Sequence, residues 1–198
     1  TIYHEHLCYF SVTALEGLFG QNGLELFRVE RLGIHGGSLR LFVGKNRPKE
    51  ESPLRLMADE KALGMLDVEY YKGFSRDVNA VRDGLREIVA EHRAAGKKLA
   101  GYGAAAKGAI MLEYVGLGRE DLMWVADRNV HKQGRHMPGN HIPIVSPDRI
   151  LEDQPDALLI LPWNFKDEIM SQQAEYAARG GRFIVPVPTP AVLGEEAA

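Results

Sequence analysis

Apolar positions recur along this chain in successive patterns, each predicting a different kind of element. Leu15, Leu18 and Phe19 follow Ser11 at helical spacing, Thr13 and Glu16 lie three apart, and Gly23 closes the run. Cap, apolar stripe and stop predict a helix over about 12–22. Leu24 to Leu32 and Ser38 to Val43 have strand-like composition and are separated by Gly33, His35, Gly36 and Gly37, which predicts two antiparallel strands. A helix and two strands make no independent core, so residues 1–46 are expected to pack on sequence beyond the chain or on the rest of it.

Arg47 to Pro53 reads as a charged, proline-flanked linker, and helical stretches follow at about 54–72 and 76–95, the second closed by Gly96. Residues 47–97 are therefore predicted to be linker and bridging helices. From Lys98 the pattern changes to short apolar runs alternating with helical segments: Leu99 to Tyr102, Leu122 to Ala126, Ile142 to Val145, Ala157 to Leu161 and Phe183 to Val187. That alternation predicts a parallel α/β sheet over 98–188. Its helices should start after Gly103, at Ser146-Pro147 and near Asn164 to Asp167, the last ending before Gly180-Gly181. Residues 189–198 read as a mobile tail.

Composition narrows the function classes. With 198 residues, 45% of them hydrophobic, the chain can bury a full core as one or two domains. A net charge of -3 and no Lys/Arg cluster make nucleic acid an unexpected partner. No apolar run approaches the roughly 20 residues of a bilayer-spanning helix, and no signal peptide opens the sequence, so no membrane partner is expected and cytoplasmic residence is the default. Cys8 is the single cysteine, which rules out an intramolecular disulfide and leaves one thiolate for any zinc site. No metal site is predicted within the chain. Its opening, Thr1 to His6, lacks an initiator methionine and reads as a truncation.

Candidate chemistry is densest in Tyr3-His4-Glu5-His6. In an extended segment His4 and His6 share one face and Tyr3 and Glu5 the other. Histidine accepts a proton near neutral pH, and a neighbouring carboxylate or phenol can orient it. By spacing alone an ordinary surface strand is the plainer reading, and a zinc-protease helix fails because residues two apart do not share a helical face. Gly36-Gly37, with His35 and Arg40 beside it, can bring backbone close to a ligand or simply form a turn.

A second constellation is Gly101-Tyr102-Gly103-Ala104-Ala105-Ala106-Lys107-Gly108, an apolar strand entering a helix. Gly101, Gly103 and Ala106 match Gly-x-Gly-x-x-Gly/Ala, and Lys107 is in reach of an anion at the helix N-terminus. Asp127 ends the next strand, where dinucleotide-binding folds place a ribose-contacting acid. Close helix–strand packing alone also accounts for the small residues. The following loop carries Lys132 and Arg135, which can flank a phosphate or be solvated, and Trp163-Asn164 lies on the same edge, for stacking or for packing.

Taken together, Tyr3-His4-Glu5-His6-Leu7-x-Tyr9-Phe10-Ser11, His35-Gly36-Gly37-Ser38-Leu39-Arg40, Gly101 to Gly108 and Pro138-Gly139-x-His141-Ile142-Pro143-Ile144 resemble the S-adenosylmethionine-dependent nucleotide-sugar C-methyltransferases in content and order. The resemblance implies a Rossmann-like, mostly parallel sheet with flanking helices over 98–188. Before it would come a helix and antiparallel strand pair, residues 1–46, from the end of a methyltransferase domain. It further implies an N-terminal zinc-binding segment and a central S-adenosylmethionine segment, neither matched here, so the isolated chain is expected to be inactive.

The reaction implied is C-methylation of a keto-deoxysugar nucleotide, at C3 of a thymidine diphosphate 4-keto sugar, through an enolate. His6 would be the base, Tyr3 the donor to the enolate oxygen and Glu5 an orienting group. His35, Arg40, Gly101, Gly103, Lys107, Asp127 and Lys132 would bind the nucleotide sugar. An NAD-dependent oxidoreductase fragment, suggested by the glycine turn and Asp127, and a noncatalytic nucleotide-binding module are the alternatives.

Overall fold

The computed structural model describes residues 7–34 and 37–194. They divide into two compact units, within 7–76 and 77–194. The first is built from α1 (Val12–Gln21), β1 (Glu25–Leu32), β2 (Ser38–Gly44), α2 (Glu51–Ala62) and α3 (Val68–Lys72). Ser11 caps α1, its Oγ accepting the Ala14 N–H at 3.1 Å, which satisfies one of the unpaired amides that open any helix. β1 and β2 pair antiparallel from Leu32 opposite Ser38 to Glu25 opposite Gly44.

Val12, Leu26, Val29 and Leu56 form this unit's buried core. Leu56 belongs to α2, so the segment expected to bridge instead closes the core that one helix and two strands leave open. The helix expected over 54–72 is also divided. Gly64 takes a left-handed φ of 76° just beyond α2, and Asp67 restarts the helix by accepting the Glu69 N–H at 2.9 Å. A further link lies far apart in sequence: Glu60 on α2 accepts the Val12 and Thr13 N–H groups at 2.6 and 2.8 Å and the Thr13 hydroxyl at 2.6 Å.

In the second unit α4 (Phe74–Ala94), whose first residues precede the boundary, leads into β3 (Leu99–Tyr102), α5 (Ala106–Val115), β4 (Val125–Ala126), β5 (Ile144–Val145) and α6 (Arg149–Asp153). Then come β6 (Ala157–Ile160), a 3₁₀ turn (Trp163–Phe165), α7 (Lys166–Gln172), α8 (Ala174–Ala178), β7 (Arg182–Val185) and β8 (Ala191–Leu193). The sheet order is β5-β4-β3-β6-β7-β8. Its first five strands are parallel and β8 is antiparallel. Residues 191–193, read from sequence as part of a mobile tail, are thus the edge strand: Ala191 to Leu193 pair with Val185 to Phe183.

Helices cover both faces of the sheet. Leu85 and Val89 of α4 and Leu112 of α5 pack with Leu99, Leu159 and Ile184. Ile150, Ile169 and Tyr176 of α6, α7 and α8 pack with Ala100, Leu158 and Phe183 on the other side. Every residue of β3 and β6 is buried, as expected of parallel strands covered on both faces, and this is why they read as unbroken apolar runs. The chain winds from β3 to β5 in one direction and from β6 to β8 in the other, which places a topological switch point between β3 and β6.

Candidate functional site

Open α/β sheets bind ligands beyond the carboxyl ends of their strands at the switch point. Here an open cleft of about 240 Å³ occupies that place. Tyr102 and Gly103 line it from the end of β3, Asp127 and Arg128 from the end of β4, and Pro162 from the end of β6. Phe165, Glu168, Ile169 and Gln172 form its remaining wall.

The turn after β3 sets the shape of this edge. Gly103 has a φ of 85°, and a Cβ there would come within 2.5 Å of Pro162 Cδ, so glycine is required twice over. Gly101, inside the sheet, stands against Val125, whose Cγ2 would lie 2.9 Å from an added Cβ. The close helix–strand approach expected at Ala106 belongs to Gly108, where a Cβ would meet Leu161 Cβ at 2.7 Å. No side chain caps α5, since its N-cap is Ala105, so the helix opens on uncapped amides three residues beyond Gly103, the nearest residue of this turn that lines the cleft.

Asp127 does not reach out from this edge as a free acid. One carboxylate oxygen accepts the Ala104 N–H at 2.7 Å and the other the Asn129 N–H at 2.8 Å. Lys132 Nζ donates to the Ala104 carbonyl at 2.7 Å and lies 3.3 Å from Asp127 Oδ2. Both side chains thus brace the turn. Lys107 spans the switch point: its ammonium donates to Asn164 Oδ1 and sits 4.4 Å from the centroid of the Trp163 ring. Burial pushes the Lys107 ammonium below its ordinary value, and burial pushes the Tyr102 phenol above its own.

Of three further cleft residues, the sequence reads Arg128 only as the start of the cationic loop after β4 and gives Phe165 and Glu168 no role. Arg128 is exposed, and among the described residues its guanidinium has neither hydrogen bond nor ion pair. Phe165 is 47% exposed despite its size. Glu168 accepts from Gln172 Nε2 at 2.8 Å. All three are brought to the edge by chain direction rather than by a local motif.

In the first unit, Arg40 on β2 is exposed and lies 3.6 Å from Glu30 on β1. Tyr3, Glu5, His6 and His35, the residues that the resemblance makes catalytic or substrate-orienting, lie outside the described residues. Among the described residues no group of three His, Cys, Asp or Glu is placed to hold a metal ion, and no helix is long and apolar enough to cross a membrane.

Fold and cleft together define a doubly wound α/β domain with an open cleft at its switch point. The chain belongs to the C-methyltransferase C-terminal domain family, whose model matches residues 33–188. It is 38% identical over 199 residues to C-methyltransferase NovU of Streptomyces niveus, an alignment covering 99% of this chain and 47% of that protein. The chain spans about half the length of the curated relative it matches.

Proposed function

We propose that the chain is the substrate-handling part of a C-methyltransferase acting on a nucleotide-linked keto-deoxysugar, and that the switch-point crevice seats the nucleotide diphosphate. The observation that carries this reading is the crevice in a C-methyltransferase C-terminal domain. Arg128 lines the crevice with its guanidinium unpaired among the described residues, and the uncapped start of α5 and Lys107, on the turn that follows Gly103, add the polarity that a diphosphate needs. Asp127 supports a nucleotide sugar over NAD, because its oxygens already accept from Ala104 and Asn129 and it offers little to a ribose diol.

S-adenosylmethionine would supply the electrophilic methyl group. The chain's own part is proton abstraction. His6 would take the proton from C3 beside the C4 ketone, Tyr3 would donate to the oxygen as it gains negative charge, and Glu5 would orient its neighbours. The resulting enolate is the carbon nucleophile.

The test uses the full-length protein with thymidine diphosphate 4-keto-6-deoxyglucose and S-adenosylmethionine. A C3-methylated product, lost in His6→Ala while the substrate still binds, is expected. No methylation by the wild type, or normal turnover by His6→Ala, would overturn the reading or the base assignment respectively.

A further inference from the structure

Dinucleotide-binding folds read a ribose with the acid at the end of the second strand. In this chain that acid, Asp127, is 9% exposed and engaged with two backbone amides and Lys132. A different carboxylate faces the same cleft. Glu168 lies in the first turn of α7, is exposed, and among the described residues its side chain makes a single hydrogen bond, from Gln172 four residues on. One of its oxygens is left for a ligand hydroxyl.

Around Glu168 the cleft has the surface of a nucleoside seat. Phe165, three residues earlier, lines the cleft with 47% of its surface in solvent, a ring face open to a planar partner. Ile169 and Tyr102, each 4% exposed, also line the cleft and belong to the buried core beneath it. The Tyr102 hydroxyl lies 3.4 Å from Gln172 Oε1, so the amide of Gln172 is fixed by both Tyr102 and Glu168.

Charge gives the seat a direction. β3 lies between β4 and β6 in the sheet. Arg128 follows β4, whereas Phe165 and Glu168 follow β6, so cation and carboxylate flank the strand that ends in the glycine turn. A ligand with an anionic end and a hydroxyl-bearing end is favoured with its anion towards Arg128 and its hydroxyl towards Glu168. The volume of about 240 Å³ is below the ~300–1,000 Å³ of pockets that enclose whole drug-sized ligands, and suits one nucleoside rather than the two of a dinucleotide.

We infer that Phe165, Glu168 and Gln172 form the nucleoside subsite of this crevice, Phe165 stacking on the base and Glu168 accepting a hydrogen bond from the 3′-hydroxyl of the deoxyribose. The inference rests on the nucleotide-sugar reading above. It replaces Asp127 with Glu168 as the acid that reads the sugar of the nucleotide and makes Asp127 a positioning residue.

Calorimetric titration of the chain with thymidine diphosphate, 3′-deoxythymidine diphosphate and inorganic pyrophosphate tests it. Phe165→Ala should weaken thymidine diphosphate roughly tenfold or more, as loss of a stacking ring does, while leaving pyrophosphate unchanged. Glu168→Gln should weaken thymidine diphosphate by about five- to tenfold and bind the 3′-deoxy ligand as the wild type does. Both side chains are exposed, so an unchanged Tm is expected and would tie the losses to binding. Wild-type affinity for thymidine diphosphate in both variants would overturn the subsite while leaving the nucleotide reading in place. Failure of the wild type to prefer thymidine diphosphate over pyrophosphate would overturn both.

Discussion

The carboxylate of Asp127 accepts the backbone N–H of Ala104 across 2.7 Å, tying the end of β4 to the turn that follows β3. Because Asp127 is buried, removing it strands the Ala104 and Asn129 amides and takes away the acid beside Lys132. Asp127→Ala should cost about 1–3 kcal/mol of stability, read by denaturant unfolding. If the turn seats the diphosphate as proposed, the substitution should also weaken pyrophosphate and thymidine diphosphate by the same factor. An effect on thymidine diphosphate alone would instead make Asp127 a nucleoside contact.

Gly103 and Gly108 make a graded pair. Gly103→Ala imposes a left-handed backbone and a clash with the Pro162 ring, whereas Gly108→Ala meets Leu161 from an ordinary helical position. Both should destabilise, Gly103→Ala by about 2–4 kcal/mol and Gly108→Ala by roughly 1–3 kcal/mol. Equal midpoints for Gly103→Ala and the wild type in a denaturant titration would contradict the turn geometry.

Glu60 anchors the first turn of α1. Burial would raise its pKa, but the bonds from Thr13 and Val12 outweigh burial and hold the carboxyl below its ordinary value of 4.5. A depressed folded value stabilises fully above the unfolded one and is lost as pH falls through the folded value. Glu60→Gln should therefore lower stability by about 1–2 kcal/mol at neutral pH. That difference should begin to shrink as pH falls below the ordinary value of 4.5 and vanish once the pH has passed the lower value of the folded carboxyl. A pH-independent difference would assign Glu60 a packing role.

Lys107 offers an optical reading, because its ammonium lies over Trp163. An anion that recruits Lys107 should alter Trp163 emission, and the change should vanish in Lys107→Ala and in Trp163→Phe. Ligand-induced emission that persists in Trp163→Phe would place the change at Trp124.

The legibility of these features in the sequence follows their physics. β3 and β6 are buried on both faces, so their composition announces them, and α1 carries its own cap and stop at Ser11 and Gly23. β8 has three residues between Pro190 and Gly194 and owes its existence to pairing with β7, which no local signal encodes. α2 and α3 looked like one helix because apolar spacing continues across Gly64. At the crevice, the glycine turn was visible as a motif. The commitment of Asp127 depends on a bond to a residue 23 positions away, and Glu60 reaches Thr13 and Val12 over 47 and 48 positions. Arg128, Phe165 and Glu168 are exposed residues in unremarkable contexts and become a group only through the strand order.

The most direct test of the central claim is a pair of calorimetric titrations, of thymidine diphosphate and of NAD, into the wild-type chain and Lys107→Ala. Seating of a nucleotide diphosphate in the crevice predicts tighter binding of thymidine diphosphate than of NAD, weakened by Lys107→Ala. Tighter binding of NAD, with a dependence on Asp127, would contradict it.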